Sequence, residues 1–141
     1  MSNDISTQTA RGGKKALHNG LWIAQGILAL VFARSGLMKV VAPIDDLARS
    51  LPWVAEVPAL VRFIGVSELL GAIGLILPSA MRILPKLTVV AALGLVVVMV
   101  LATGFHLMDG EVSHAPVTLV LGGIAAFVAW GRATKAAIHT Q

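Results

Sequence analysis

The 141-residue chain contains no cysteine, which excludes disulfides, thiolate zinc sites, iron–sulfur ligation and any Cys-x-x-Cys relay. Any redox role must therefore borrow its centre from elsewhere. Charge is scarce too: Asp, Glu, Lys and Arg make up 13% of the residues, against roughly 25% in soluble domains. Hydrophobic residues reach 57% and the mean hydropathy is +0.86, which rules out a cytosolic globular domain and a disordered chain. No Walker loop, dinucleotide fingerprint, His-Glu-x-x-His motif or Ser-His-Asp order is present. The net charge of +4 therefore takes its meaning from its distribution about a membrane, and no nucleic-acid partner is expected.

Four long apolar runs stand out: 21–41, 59–77, 87–107 and 115–131. At 1.5 Å per residue, runs of about 17–21 residues cover the roughly 30 Å hydrocarbon core of a bilayer. The third run is rich in valine, a strand preference in water, but lipid demands that every backbone group be satisfied internally, and helix wins. Pro58, Pro85 and Pro116 fall at helix starts, while Pro43 and Pro78 are expected to follow helix ends. The predicted fold is all-α, a four-transmembrane-helix bundle over 19–132, flanked by a flexible basic tail, 1–18, and a short tail, 133–141.

The cations give the orientation. Arg11, Lys14, Lys15, Arg82, Lys86, Arg132 and Lys135 fall on one side of the four spans, and only Arg49 on the other, beside Asp45, Asp46, Glu56, Asp109 and Glu111. The positive-inside rule then predicts both termini in the cytoplasm and a bacterial-type inner membrane, with Trp22 and Trp130 as interfacial anchors. A cleaved signal peptide ending near Val31-Phe32-Ala33 is the alternative; the long polar leader and the apolar residues that continue to Val41 argue against it. In the first outer loop, Ile44, Leu47 and Leu51 share helical spacing, which predicts a short amphipathic interfacial helix anchored by Trp53.

Arg34, Lys39, Arg62 and Glu68 lie within spans, where ionisable groups are costly and mark a site. Counted from the outer ends of their helices, Arg34 lies about 10 Å and Glu68 about 14 Å deep, so a hydrogen-bonded Arg34–Glu68 pair is expected. Lys39 and Arg62 are near enough to the interface to snorkel. With His106 at the end of the third helix, the five residues outline an outward-opening polar pocket for a ligand or a proton. The stretch from His106 to His114 also offers two imidazoles and two carboxylates, but its spacing is unspecific, and the expectation is no metal. Gly36, Gly65, Gly71, Gly74 and Gly122-Gly123 read as close helix contacts.

The segments Phe32-Ala-Arg-Ser-Gly-Leu-Met-Lys39, Arg62-Phe-Ile-Gly-Val-Ser-Glu68-Leu-Leu-Gly71 and on to Pro78, and Phe105-His-Leu-Met-Asp-Gly-Glu111 resemble the DoxX-like family of small four-helix membrane proteins. The resemblance spans about Trp22 to Arg132 and emphasises Lys39, Glu68 and His106. It implies several roles: membrane subunits of sulfur- or quinone-linked oxidoreductases, associates of oxidative-stress enzymes, and an assembly chaperone in an animal branch. The expected function is an accessory or partner-binding subunit of a membrane-associated redox or stress-response system. The alternatives are a quinone-binding oxidoreductase subunit, with quinone the one conceivable cofactor, and a non-redox assembly chaperone. The expected partners are the lipid bilayer, a membrane or peripheral protein, and a second copy of the chain in a homo-oligomer.

Overall fold

A computed structural model of the chain describes residues 2–139. All regular structure in them is helical: α1 Ser2–Val41, α2 Ile44–Ser50, a 3-10 turn Pro52–Ala55, α3 Pro58–Met81, α4 Lys86–Met108, and α5 Ala115–Trp130, which runs on into a π-helical turn, Gly131–Lys135. Four of these helices are long and apolar enough to cross a membrane. They pack as an up-and-down bundle in which α1 neighbours α3, α3 neighbours α4, α4 neighbours α5, and α5 returns to α1.

The core is a stripe from each helix: Leu21, Leu28 and Phe32 of α1, Ala72 and Leu75 of α3, Ala92, Leu95 and Met99 of α4, and Ala125 and Val128 of α5. The outside is no less apolar. Leu30, Phe63, Leu70 and Leu101 are 65–73% exposed, an arrangement stable in lipid and not in water.

Three local expectations are corrected. Residues 2–18, read as a flexible tail, continue the first span as one 40-residue helix. Once the apolar part has nucleated the helix, each further residue adds a hydrogen bond, and Asp4 in the first turn favours the helix dipole. Pro78 lies inside α3 and not beyond it. Proline forfeits the bond to the carbonyl four residues back, a loss tolerated this near the end, where the Pro78 carbonyl accepts from the Arg82 and Ile83 amides. Arg132, counted with Lys135 among the cations that follow the last span, is 3% exposed inside the bundle.

The segment after α1 forms the expected short helix, α2, with no buried residue. Trp53 turns back onto the end of α4, its ring 4.7 Å from that of Phe105 and edge-on to it. The α1–α3 connection and the α4–α5 turn therefore meet at the end of the bundle opposite the termini, here called the distal end.

Candidate functional site

A close approach of two helices builds the distal polar cluster. A side chain at Gly36 would place its Cβ 2.6 Å from the Gly65 carbonyl, and one at Gly65 would meet the Cβ of Lys39 at 2.8 Å, so α1 and α3 touch backbone to backbone there. Each glycine is followed three residues later by a charge, Lys39 or Glu68, on the same side of its helix. Helical side chains lean toward their own N-terminus. On antiparallel helices Lys39 leans inward and Glu68 outward, and they meet.

The Lys39 ammonium donates to both Glu68 carboxylate oxygens, at 2.9 and 3.0 Å, and to the Ser35 hydroxyl. Glu68 is 3% exposed. Arg62 does something else: its guanidinium donates to the backbone carbonyls of Lys39 and Ala42 and caps the last turn of α1 from the neighbouring helix.

The expected Arg34–Glu68 pair does not form, and Lys39 takes the place of Arg34. Arg34 matches Glu68 in depth but not in direction. At about 100° per residue it points about 160° away from Gly36, the residue facing α3, whereas Lys39 lies within about 60° of it. Among the described residues Arg34 has no ion-pair or hydrogen-bond partner; it is exposed on the outer face of α1. It borders a furrow of about 390 Å³ lined by Leu30, Val31, Ser35 and Met38, all of α1.

His106 joins neither group. Its Nδ1 lies 2.8 Å from a Glu111 carboxylate oxygen, and its ring stacks on that of His114 with centroids 5.2 Å apart. The five expected residues thus divide three ways: Lys39, Glu68 and Arg62 together, His106 in a second cluster, and Arg34 facing outward.

A second buried network, at the end of the bundle near the termini, was missed in the sequence. Arg132 Nε donates to Gln25 Oε1 at 2.6 Å, and both residues are buried. Gln25 in turn donates to the Leu75 carbonyl and to Ser79, whose hydroxyl lies 2.7 Å from that of Thr88. One amide and one guanidinium thus tie α1, α3, α4 and the end of α5 together. The Arg132 guanidinium also lies over the Trp22 ring at 5.2 Å and donates to the Ala136 carbonyl, while its Nη2 is buried with no partner among the described residues.

His18 completes the network, with Trp22 Nε1 3.1 Å from its Nε2 and Arg132 Nη1 3.2 Å from its Nδ1. A neutral imidazole has one acceptor nitrogen, so it accepts from one of these donors at a time. The signal for this network was present: Gln25 is an amide in the middle of an apolar run, and a polar side chain in a span needs a partner.

Neither the curated proteins nor the solved structures give a match to this chain. The model of the DoxX-like family, in contrast, matches residues 23–128, a stretch that holds the second and third spans whole, part of the first and fourth, the Gly36–Gly65 crossing and the Lys39–Glu68 pair. The chain belongs to the DoxX-like family, and it is a membrane protein built as a four-helix bundle.

Proposed function

We propose that the protein is an accessory subunit that docks through the outer face of α1 onto a transmembrane helix of a partner carrying a carboxylate at the depth of Arg34. The observation that carries this is the state of Arg34. Lys39, Arg62 and Glu68 are satisfied within the chain, whereas Arg34 lies seven residues before the end of α1 and faces outward with no partner among the described residues. A cation at that depth costs up to about 2.5–3.5 kcal/mol on insertion scales, and an acidic group on a neighbouring helix offsets that cost. The flanking Leu30, Val31 and Met38 are exposed and offer a partner helix apolar contact on either side of the charge. The setting in a redox or stress-response system is supported by the family resemblance alone, and the cytoplasmic placement of the termini by the cation distribution.

The test is a photo-crosslinking amino acid at Leu30 or at Met38, activated in native membranes. The expected result is a discrete adduct with another membrane protein, lost in Arg34→Glu and absent when the probe is at Leu70 on α3. Equal adducts from all three probe positions, or adducts indifferent to Arg34→Glu, overturn the proposal.

One observation favours a second reading, a quinone head group held in the furrow. Ser35 both lines the furrow and accepts from Lys39, so a polar chain runs from the outer face through Lys39 to Glu68. Arg34 and Ser35 are the groups that would donate to the carbonyl oxygens, and the quinone would supply the electron chemistry for which this chain has no group of its own. Quinone extracted with the wild-type protein from nanodiscs, and lost in Ser35→Ala, is the result that supports this reading.

A further inference from the structure

At the distal end, α4 stops at Met108 and the chain reverses through Gly110, whose φ of +77° lies in the left-handed region that glycine favours. The Glu111 amide then donates to the His106 carbonyl at 2.9 Å and the His114 amide to the Glu111 carbonyl at 3.0 Å. The backbone thus folds three potential ligands over one another. One ligand atom each from His106, Glu111 and His114 lies within 4.8 Å of the other two.

We propose that His106, Glu111 and His114 form a binding site for a first-row divalent metal ion of the zinc class. Ligand chemistry and spacing both support it. Two imidazoles and one carboxylate are a donor set suited to zinc, which leaves a fourth position for water. Around a tetrahedral zinc, ligand atoms about 2.0–2.1 Å from the ion stand about 3.3 Å from one another. His106 Nδ1 and the Glu111 carboxylate oxygen, at 2.8 Å, stand closer than two zinc ligands and need only part slightly to admit the ion between them.

His114 has the wider gap to close, and it is free to close it. It is exposed, and the one interaction of its side chain among the described residues is the ring stack on His106. Both histidines belong to the chain segment that bounds the α4–α5 turn, so a bound ion would bridge the end of α4 to the start of α5.

The site is tested on the full-length protein in nanodiscs, free of any affinity tag, by competing Zn²⁺ against a chromophoric chelator and by following Co²⁺ absorption for a tetrahedral spectrum. The expected result is one Zn²⁺ per chain, weakened by about 10-fold or more in His114→Ala and in Glu111→Gln and unchanged in His18→Ala and His139→Ala. His114 is outside the core, so its variant tests the ligand and not the fold. Wild-type binding that is absent, non-stoichiometric or equal to that of His114→Ala overturns the site. The outcome is independent of the docking face on α1, which none of these variants touches.

Discussion

The bundle holds two cations, half-buried Lys39 and buried Arg132, by opposite means. Toward the distal end Lys39 is neutralised by Glu68, charge against charge, at a crossing where two glycines bring the backbones together. Near the termini Arg132 has no carboxylate partner among the described residues; it is held by an amide oxygen, a backbone carbonyl, an imidazole and the face of an indole. The Lys39–Glu68 pair is electrically neutral and joins two helices. The Arg132 cluster keeps a net positive charge and joins all four spans through Gln25, Ser79 and Thr88. A low-dielectric interior thus accepts a cation either by pairing it or by surrounding it with oriented dipoles, and the second solution ties more of the fold together.

Substitutions can break this comparison at either end. The largest effect is expected from Glu68→Ala, which strands the Lys39 ammonium and is expected to cost about 3–5 kcal/mol in thermal or denaturant unfolding in detergent; Lys39→Met combined with Glu68→Leu recovers most of the loss. A single Glu68→Ala that unfolds like the wild type would show that the pair is ornamental. Arg132→Met keeps volume but removes the donor to Gln25, leaving a buried amide oxygen unpaired, and is expected to cost about 1–3 kcal/mol. Arg132→Lys, which keeps the charge and loses the fork, is expected to recover only part of that; full recovery would mean that charge and not geometry holds the network.

Gly36→Ala forces a methyl group against the Gly65 carbonyl and is expected to destabilise by about 1–3 kcal/mol, whereas Gly123→Ala, where a Cβ meets nothing within 4 Å, is expected to be silent. Equal melting of the two alanine variants would remove the crossing from the account of the pair. The smallest effect on stability is expected from Arg34→Ala, within about 0.5 kcal/mol in the isolated protein, because no contact inside the chain is lost. A large loss there would place Arg34 in the fold and not at a docking surface.

Span number, the ends of every long helix except the start of α1 to within a few residues, and the concentration of charge in α1 and α3 were legible in the sequence, because hydrophobic length and the cost of burying charge act on the chain locally. The partner of Glu68 was not. Depth along a helix follows from counting, but direction around it requires knowing which face meets the neighbour, and the fixing residue is Gly36, not a charge. Arg34 and Lys39 differ by five residues, more than one turn, and the long lysine stem spans the difference. Arg132 was misread for a related reason: one residue beyond Gly131 it looked like an ordinary cation of the C-terminal tail, and the π-helical turn carries it inward against Gln25. The turn that gathers His106, Glu111 and His114 likewise depends on backbone geometry at Gly110, which composition does not disclose.

The cap that Arg62 places on the end of α1 has a consequence for how the chain moves. By binding the Ala42 carbonyl from the first turns of α3, Arg62 fastens the start of the connecting segment to its finish and closes residues 43–57 into a loop. The entropy lost in closing that loop is incurred together with the α1–α3 contact, so the two form and release as one cooperative unit. The last turn of α1 therefore cannot fray alone: opening it withdraws an arginine from two carbonyls and loosens the seam in which Lys39 meets Glu68.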